Sequence, residues 1–197
     1  MNKKYATGAF SLTGLLLFAA LAGAQGVAQP GYSEAGVANF HGDQNSLIHA
    51  IHAIQQSTGG RVIEIRYTDS GGVPGYHAVL VKHRRIQFMR IGELSSNAVA
   101  IDVSSRPVWM LKWRGKADVH FAEHAKVHLA QAIRTAEQAH NGAPAIAAGI
   151  ARSASDPGSD VHAYNVLLDV DGGVQRVAVD DSTGQIIADP GALADWP

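Results

Sequence analysis

Apolar side chains recur at helical spacing from Leu47. Leu47, Ile48, Ile51 and Ile54 share one face, and His49, His52, Gln55 and Gln56 lie largely opposite. That pattern predicts an amphipathic helix of about three turns. Thr58-Gly59-Gly60 ends it, because glycine takes the left-handed C-cap without a Cβ penalty. The period then changes to two. Across Arg61 to Tyr67, the side chains of Ile63, Ile65 and Tyr67 fall on one side and those of Val62, Glu64 and Arg66 on the other, as in a strand. Asp69 to Gly75 reads as a loop. Tyr76 to Val81 and Ile86 to Ile91 are two more strands, joined through Lys82-His83-Arg84-Arg85, and Asn97 to Val103 is a fourth.

The same order then recurs. Leu129, Ala132, Ile133, Ala136 and Ala139 form an apolar helical stripe, with Gln131, Arg134, Glu137 and Gln138 outside it, and Asn141-Gly142 stops the helix. Residues 145–151 make a weak strand of small residues, 156–160 a loop. Tyr164 to Val170 and Val174 to Asp180 are strands joined by Asp171-Gly172-Gly173. Gly60 precedes Gly142 by 82 residues, as Ala50 precedes Ala132; Tyr76 precedes Tyr164 by 88, as Ile86 precedes Val174. The difference falls in the first strand and the loop after it, where insertions are tolerated. These offsets predict a tandem duplication. The expected fold class is α+β, with two small units in tandem (44–104 and 126–190), each one helix packed on a three- to four-stranded antiparallel sheet. Units of about 60 residues are marginally stable alone. The stretch between them, 105–125, carries Trp109 and Trp113, expected to pack between the units, with membrane or partner contact as the other role open to them.

The N-terminus predicts a signal peptide. Lys3 and Lys4 are followed by the apolar run Leu12 to Leu21 and by Ala22-Gly23-Ala24, so cleavage is expected after Ala24. The run is shorter than the ~20 residues that span a bilayer, and no later stretch is apolar enough to do so. The expected compartment is the periplasm or the cell exterior. Residues 25–43, rich in Gly, Ala, Ser and Asn, read as a flexible lead.

Charge and composition then exclude several functions. The chain has 16 Lys+Arg against 17 Asp+Glu, which excludes a strongly basic nucleic-acid clamp. Losing Lys3 and Lys4 with the leader takes the formal net charge of −1 to −3. Cysteine is absent, which excludes disulfides, thiolate nucleophiles and cysteine-ligated metal. Neither a G-x-S-x-G elbow, a P-loop nor a dinucleotide fingerprint is present.

Two stretches resemble a known family. Lys126 to Ala143 (KVHLAQAIRTAEQAHNGA), followed by two strands and Val179 to Ile187 (VDDSTGQII), is similar to the PepSY domain. Asn45 to Ile65 with its hairpin resembles a second, more diverged copy, whose strand end Gly92 to Ser96 lacks the usual Asp and Gly. The resemblance implies an exported, non-catalytic module, of the kind found in propeptides of thermolysin-like metallopeptidases and in stand-alone periplasmic proteins. It implies regulation of an envelope or secreted peptidase, here in trans, with no cofactor and no catalytic residue.

Candidate chemistry lies mainly in the ten histidines. His120, His124 and His128 stand at i, i+4 and i+8, and on one helix they would share a face able to chelate Zn²⁺ or Cu²⁺. A periplasmic divalent-metal-binding protein is therefore the alternative reading. His120 to His124 also fits H-x-x-E-H, but that zinc-protease signature needs a further acidic ligand and a large catalytic domain. His49 and His52 are a weaker pair. Asp169, Asp171, Asp180 and Asp181 gather around the C-terminal hairpin and read as turn chemistry rather than a Ca²⁺ loop. Lys82 to Arg85 is a basic hairpin tip, either simply solvated or able to meet an acidic partner or anionic lipid.

Overall fold

The structure is a computed structural model. It describes residues 47–68, 75–92, 100–110, 113–151 and 163–188. The expected leader (1–24), the lead (25–43), most of the loop at 69–75 and the loop at 156–160 lie outside the described residues.

The first helix, α1 (Leu47–Thr58), buries Leu47, Ala50, Ile51 and Ile54, the stripe that the spacing selects. Gly59 ends it at φ +67°, donating its N–H to the Gln55 carbonyl at 2.8 Å. The Thr58 hydroxyl donates to the Ile54 carbonyl at 2.7 Å, and the Lys82 ammonium donates to the Thr58 carbonyl. A cation thus sits on the negative end of the helix dipole. Strands β1 (Arg61–Thr68), β2 (Gly75–Lys82), β3 (Arg85–Gly92) and β4 (Ala100–Pro107) follow as an antiparallel meander. After a 3-10 turn (Val108–Met110) come α2 (Trp113–His124) and α3 (Leu129–Ala139), then β5 (Ala145–Ile150), β6 (Ala163–Val170) and β7 (Gly173–Asp180).

The seven strands form one antiparallel sheet in the order β4-β3-β2-β1-β5-β6-β7. The sequence leads one to expect a sheet for each unit; instead the two meanders share one. They meet where β1 pairs β5, with Glu64 opposite Gly149, Ile65 opposite Ala148 and Arg66 opposite Ala147. Each of these strands opens its meander, so each would otherwise present an unpaired row of N–H and C=O groups. Joining them satisfies both rows. α1 packs on β1 and β5, α3 packs on β5, β6 and β7, and the two helices touch. Ile65, Tyr67, Tyr76, Leu80, Tyr164, Val166 and Leu168 join the helix stripes in one buried cluster. Strands β5 and β6 are buried on both faces.

Four expectations change. The stretch 105–125 contains a twelve-residue helix, α2. Its stripe is thin, with Val119, Phe121 and Ala122 buried, and Gly115 interrupts it, so periodicity alone does not reveal it. Trp109 is 78% exposed and Met110 59%; Trp109 does not pack between the halves, and the side chain of Trp113 lies outside the described residues. β4 runs on to Pro107, past Val103 where the expected fourth strand stops, because an edge strand need not bury its side chains; residues 97–99 of that expected strand lie outside the described residues. Ala139, assigned to the α3 stripe, is exposed.

Candidate functional site

Besides the β1–β5 pairing and the shared core, the halves are joined by a side chain the sequence does not single out. Arg61, the first residue of β1, donates from Nη1 to the Ala122 carbonyl at 2.7 Å. Its Nη2 donates to the carbonyls of Ala125 and Val127, each at 2.9 Å. The Tyr164 hydroxyl donates to the same Val127 carbonyl at 2.9 Å and packs its ring edge-on to Phe121, centroids 5.1 Å apart. The Val127 N–H donates to the Asp181 carbonyl at 2.8 Å. One planar guanidinium therefore gathers the carbonyls at the end of α2 and in the turn into α3. Burial pushes the Tyr164 hydroxyl above its ordinary pKa, against the pull of Arg61. The sequence shows only an arginine opening an alternating strand; its partners lie 61 to 66 residues away.

The three histidines do not share a helix. His120 and His124 are on α2, which ends at His124. Their rings stack with centroids 4.1 Å apart and planes 22° apart. The His124 Nδ1–H donates to the His120 carbonyl at 2.8 Å, which leaves Nε2 as its free lone pair. His128 is the N-cap of α3, so the turn at 125–127 breaks the i, i+4, i+8 series. Burial, and then the Arg61 charge, hold the His128 pKa below its ordinary value. His49 and His52 are exposed on α1. Among the described residues, no three His, Asp or Glu side chains are placed to share an ion.

His128 gives a pH prediction. In the unfolded chain it takes a proton near pH 6.5, and in the folded chain only at lower pH. Below about pH 6.5 the unfolded state therefore binds more protons, and stability falls with acid. Urea unfolding at stepwise pH is expected to show a shallower decline between pH 7 and 5 for His128→Gln, about neutral pH the two being alike.

The four aspartates separate into two groups at opposite ends of β7. Asp169 and Asp171 lie at the β6–β7 turn, Asp180 closes the far end of β7 and Asp181 follows it. The Asp180 carboxylate accepts from the Ser182 N–H and hydroxyl (2.9 and 2.7 Å) and from the Thr183 N–H and hydroxyl (2.7 and 2.9 Å). These bonds hold its pKa at about 2. Asp169 is buried and accepts the Gly172 N–H at 3.0 Å. This is turn chemistry in both places. An open cleft of about 430 Å³ lies between this turn and the end of α3, lined by His140, Asn141, Pro144, Asp169 and Asp171.

The basic tip has unusual backbone geometry. His83 and Arg84 form a two-residue hairpin turn with φ +47° and +56°. Both central residues are left-handed, a shape that Asn-Gly adopts at little cost. Replacing them together (His83→Asn, Arg84→Gly) is expected to raise stability by about 1 kcal/mol, read from the urea midpoint.

On the sheet face away from α1 and α3, Arg66, His77 and Arg90 lie in register across β1, β2 and β3. Burial first, then the two arginines, lower the His77 pKa, and its Nε2 is buried without a hydrogen-bond partner.

No protein-family model matches the chain, and no curated protein matches it. Among solved structures, it is similar to one described as a "putative lipoprotein (CD1622) from Clostridium difficile 630", at 15% identity over 71% of this chain and 88% of that one, with a TM-score of 0.39. No helix among the described residues is long and apolar enough to cross a membrane.

Proposed function

We propose that this is an exported, non-catalytic binding protein of two PepSY-like repeats that modulates a peptidase of the envelope or the exterior. The observation that carries the reading is the repeated order. α1 with β1–β3 and α3 with β5–β7 are each a helix followed by a three-stranded antiparallel meander, and after each helix the chain turns through a left-handed residue at equivalent positions, Gly59 and, 82 residues on, Asn141. That recurrence, with the constant offsets in the sequence, is what a doubled PepSY-like unit would give. The expected cleavage after Ala24 supplies the export.

The route to a peptidase is strand addition, in which an extended segment of the partner pairs with a sheet edge. β4 is the edge suited to it. The other edge is partly occupied among the described residues, because Ile186 bridges Val179 and the Ile187 N–H donates to the Ala178 carbonyl at 2.9 Å. The test is a pull-down from envelope extract with the purified chain, followed by a peptidase assay with and without it. Recovery of a peptidase whose activity changes supports the reading; no peptidase recovered and no change in activity removes it.

The stacked pair of exposed rings, His120 and His124, favours a second reading as a divalent-metal-binding protein, through the two Nε2 atoms. Titration with Zn²⁺ or Cu²⁺ decides it. No binding at micromolar metal, or binding unchanged in His124→Ala, removes that reading.

A further inference from the structure

The structure joins two features that stand 24 residues apart in the chain. Arg85, closing the basic hairpin, pairs with Pro107 at the end of β4, and Ile86 pairs with Arg106. The Arg85 Nε–H also donates to the Ser105 hydroxyl at 2.8 Å, laying that side chain across β4. The 3-10 turn that begins at Val108 is thereby set beside the hairpin tip. Trp109 is the most exposed of the large hydrophobic residues described, with Met110 next to it in rank and in sequence. His83, Arg84, Arg85 and Arg106 are exposed around them.

We propose that this corner, Trp109 and Met110 ringed by Arg84, Arg85 and Arg106, docks the protein on an anionic membrane surface. Charge supports it. At the corner itself, residues 82–86 and 105–110 hold Lys82, Arg84, Arg85 and Arg106 and no acidic residue, in a chain whose formal net charge is −1. Such a concentration meets a surface of like-signed headgroups better than it meets a mixed protein surface. Shape supports it as well. The two apolar side chains are exposed on a turn beyond the end of an edge strand. A lipid interface receives a protruding tryptophan without needing a complementary cavity, and the amphipathic indole settles at headgroup depth. The hairpin adds a third observation. Both of its turn residues carry left-handed strain that Asn-Gly would relieve, and the strained pair places Arg84 at the tip. The peptidase reading is independent of this one, because strand addition uses the β4 backbone and membrane docking uses the turn beyond it.

The test uses the chain beginning at Gln25, so that the apolar leader cannot itself insert, with circular dichroism confirming that each variant is folded. Vesicles of phosphatidylcholine alone are compared with vesicles containing about one-third phosphatidylglycerol. The expected result is sedimentation with the anionic vesicles only, a blue shift of tryptophan emission, and release at high salt. Arg84→Ala with Arg85→Ala is expected to weaken binding about thirtyfold, at about fivefold per cation. Trp109→Ala is expected to weaken binding about tenfold and to diminish the emission shift. Equal binding to both vesicle types overturns the proposal, as does anionic binding unaffected by either set of substitutions. Binding to soluble poly-glutamate but not to vesicles also overturns it and assigns the corner to an acidic protein partner.

Discussion

Replacing Arg61 with alanine is expected to lower stability by about 3 kcal/mol. The change removes donors from the carbonyls of Ala122, Ala125 and Val127 at once. Hydrogen bonds to a charged donor are each worth about 1.5–3 kcal/mol, and their loss is not additive. In a chain of this length the midpoint of thermal unfolding should fall by about 6–12 °C. Arg61→Lys should recover only part of the loss, since an ammonium lacks the planar fork that reaches three acceptors together. A fall of less than about 1 kcal/mol in the alanine variant would mean that water serves those carbonyls as well as the guanidinium does. Arg61 also lowers the His128 pKa, so the alanine variant should shed part of the acid sensitivity of folding.

A proline at Ala148 is expected to cost at least about 3 kcal/mol. Ala148 lies between Ile65 of β1 and Val166 of β6, so whichever way its N–H points, a ladder bond is lost. Proline is tolerated only at sheet edges or strand starts, and β5 is interior. The informative measurement is amide exchange across the whole sheet. If the shared core makes the halves one cooperative unit, protection in β2 and β3 falls together with that in β6 and β7. Protection kept in β2 and β3 while β6 opens would show that each meander holds itself together.

Much of the local structure was readable from side-chain order. The stripe Leu47, Ile51 and Ile54 and the glycines after each helix gave α1 and α3 with their ends. Alternation from Arg61 gave β1, and the apolar runs gave β2, β3, β6 and β7. Periodicity missed α2 and the end of β4 and marked β5 only weakly, each for a definite reason. β5 is AIAAGI; it is buried on both faces, so no alternation remains and only small residues mark it. β4 runs through Ser104-Ser105-Arg106 at an edge, where burial does not select apolar side chains. α2 buries only a short stripe, and the turn at 125–127 divides the i, i+4, i+8 series of its two histidines with His128.

The candidate sites were less legible than the elements. The basic tip and Trp109 were both visible as residues, but their adjacency depends on the pairing of Arg85 with Pro107. The four aspartates looked like one group because two lie at each end of a single strand, and a strand of eight residues holds its ends some 25 Å apart at about 3.3 Å per residue. Arg61 carried no signal, because what distinguishes it is a set of backbone acceptors and carbonyl groups have no letter in a sequence.

By itself, then, the order of residues determined the elements, the α+β class and the recurrence of a helix with a meander, since these follow from interactions within about ten neighbouring positions. Only the tertiary structure decided that the two meanders close into one sheet through β1 and β5, that Arg61 ties the end of α2 to that sheet, and that tryptophan and arginines meet at one corner. Those outcomes depend on unpaired strand edges and orphan carbonyls finding partners across the chain, and backbone groups are alike at every residue until the fold brings particular ones together.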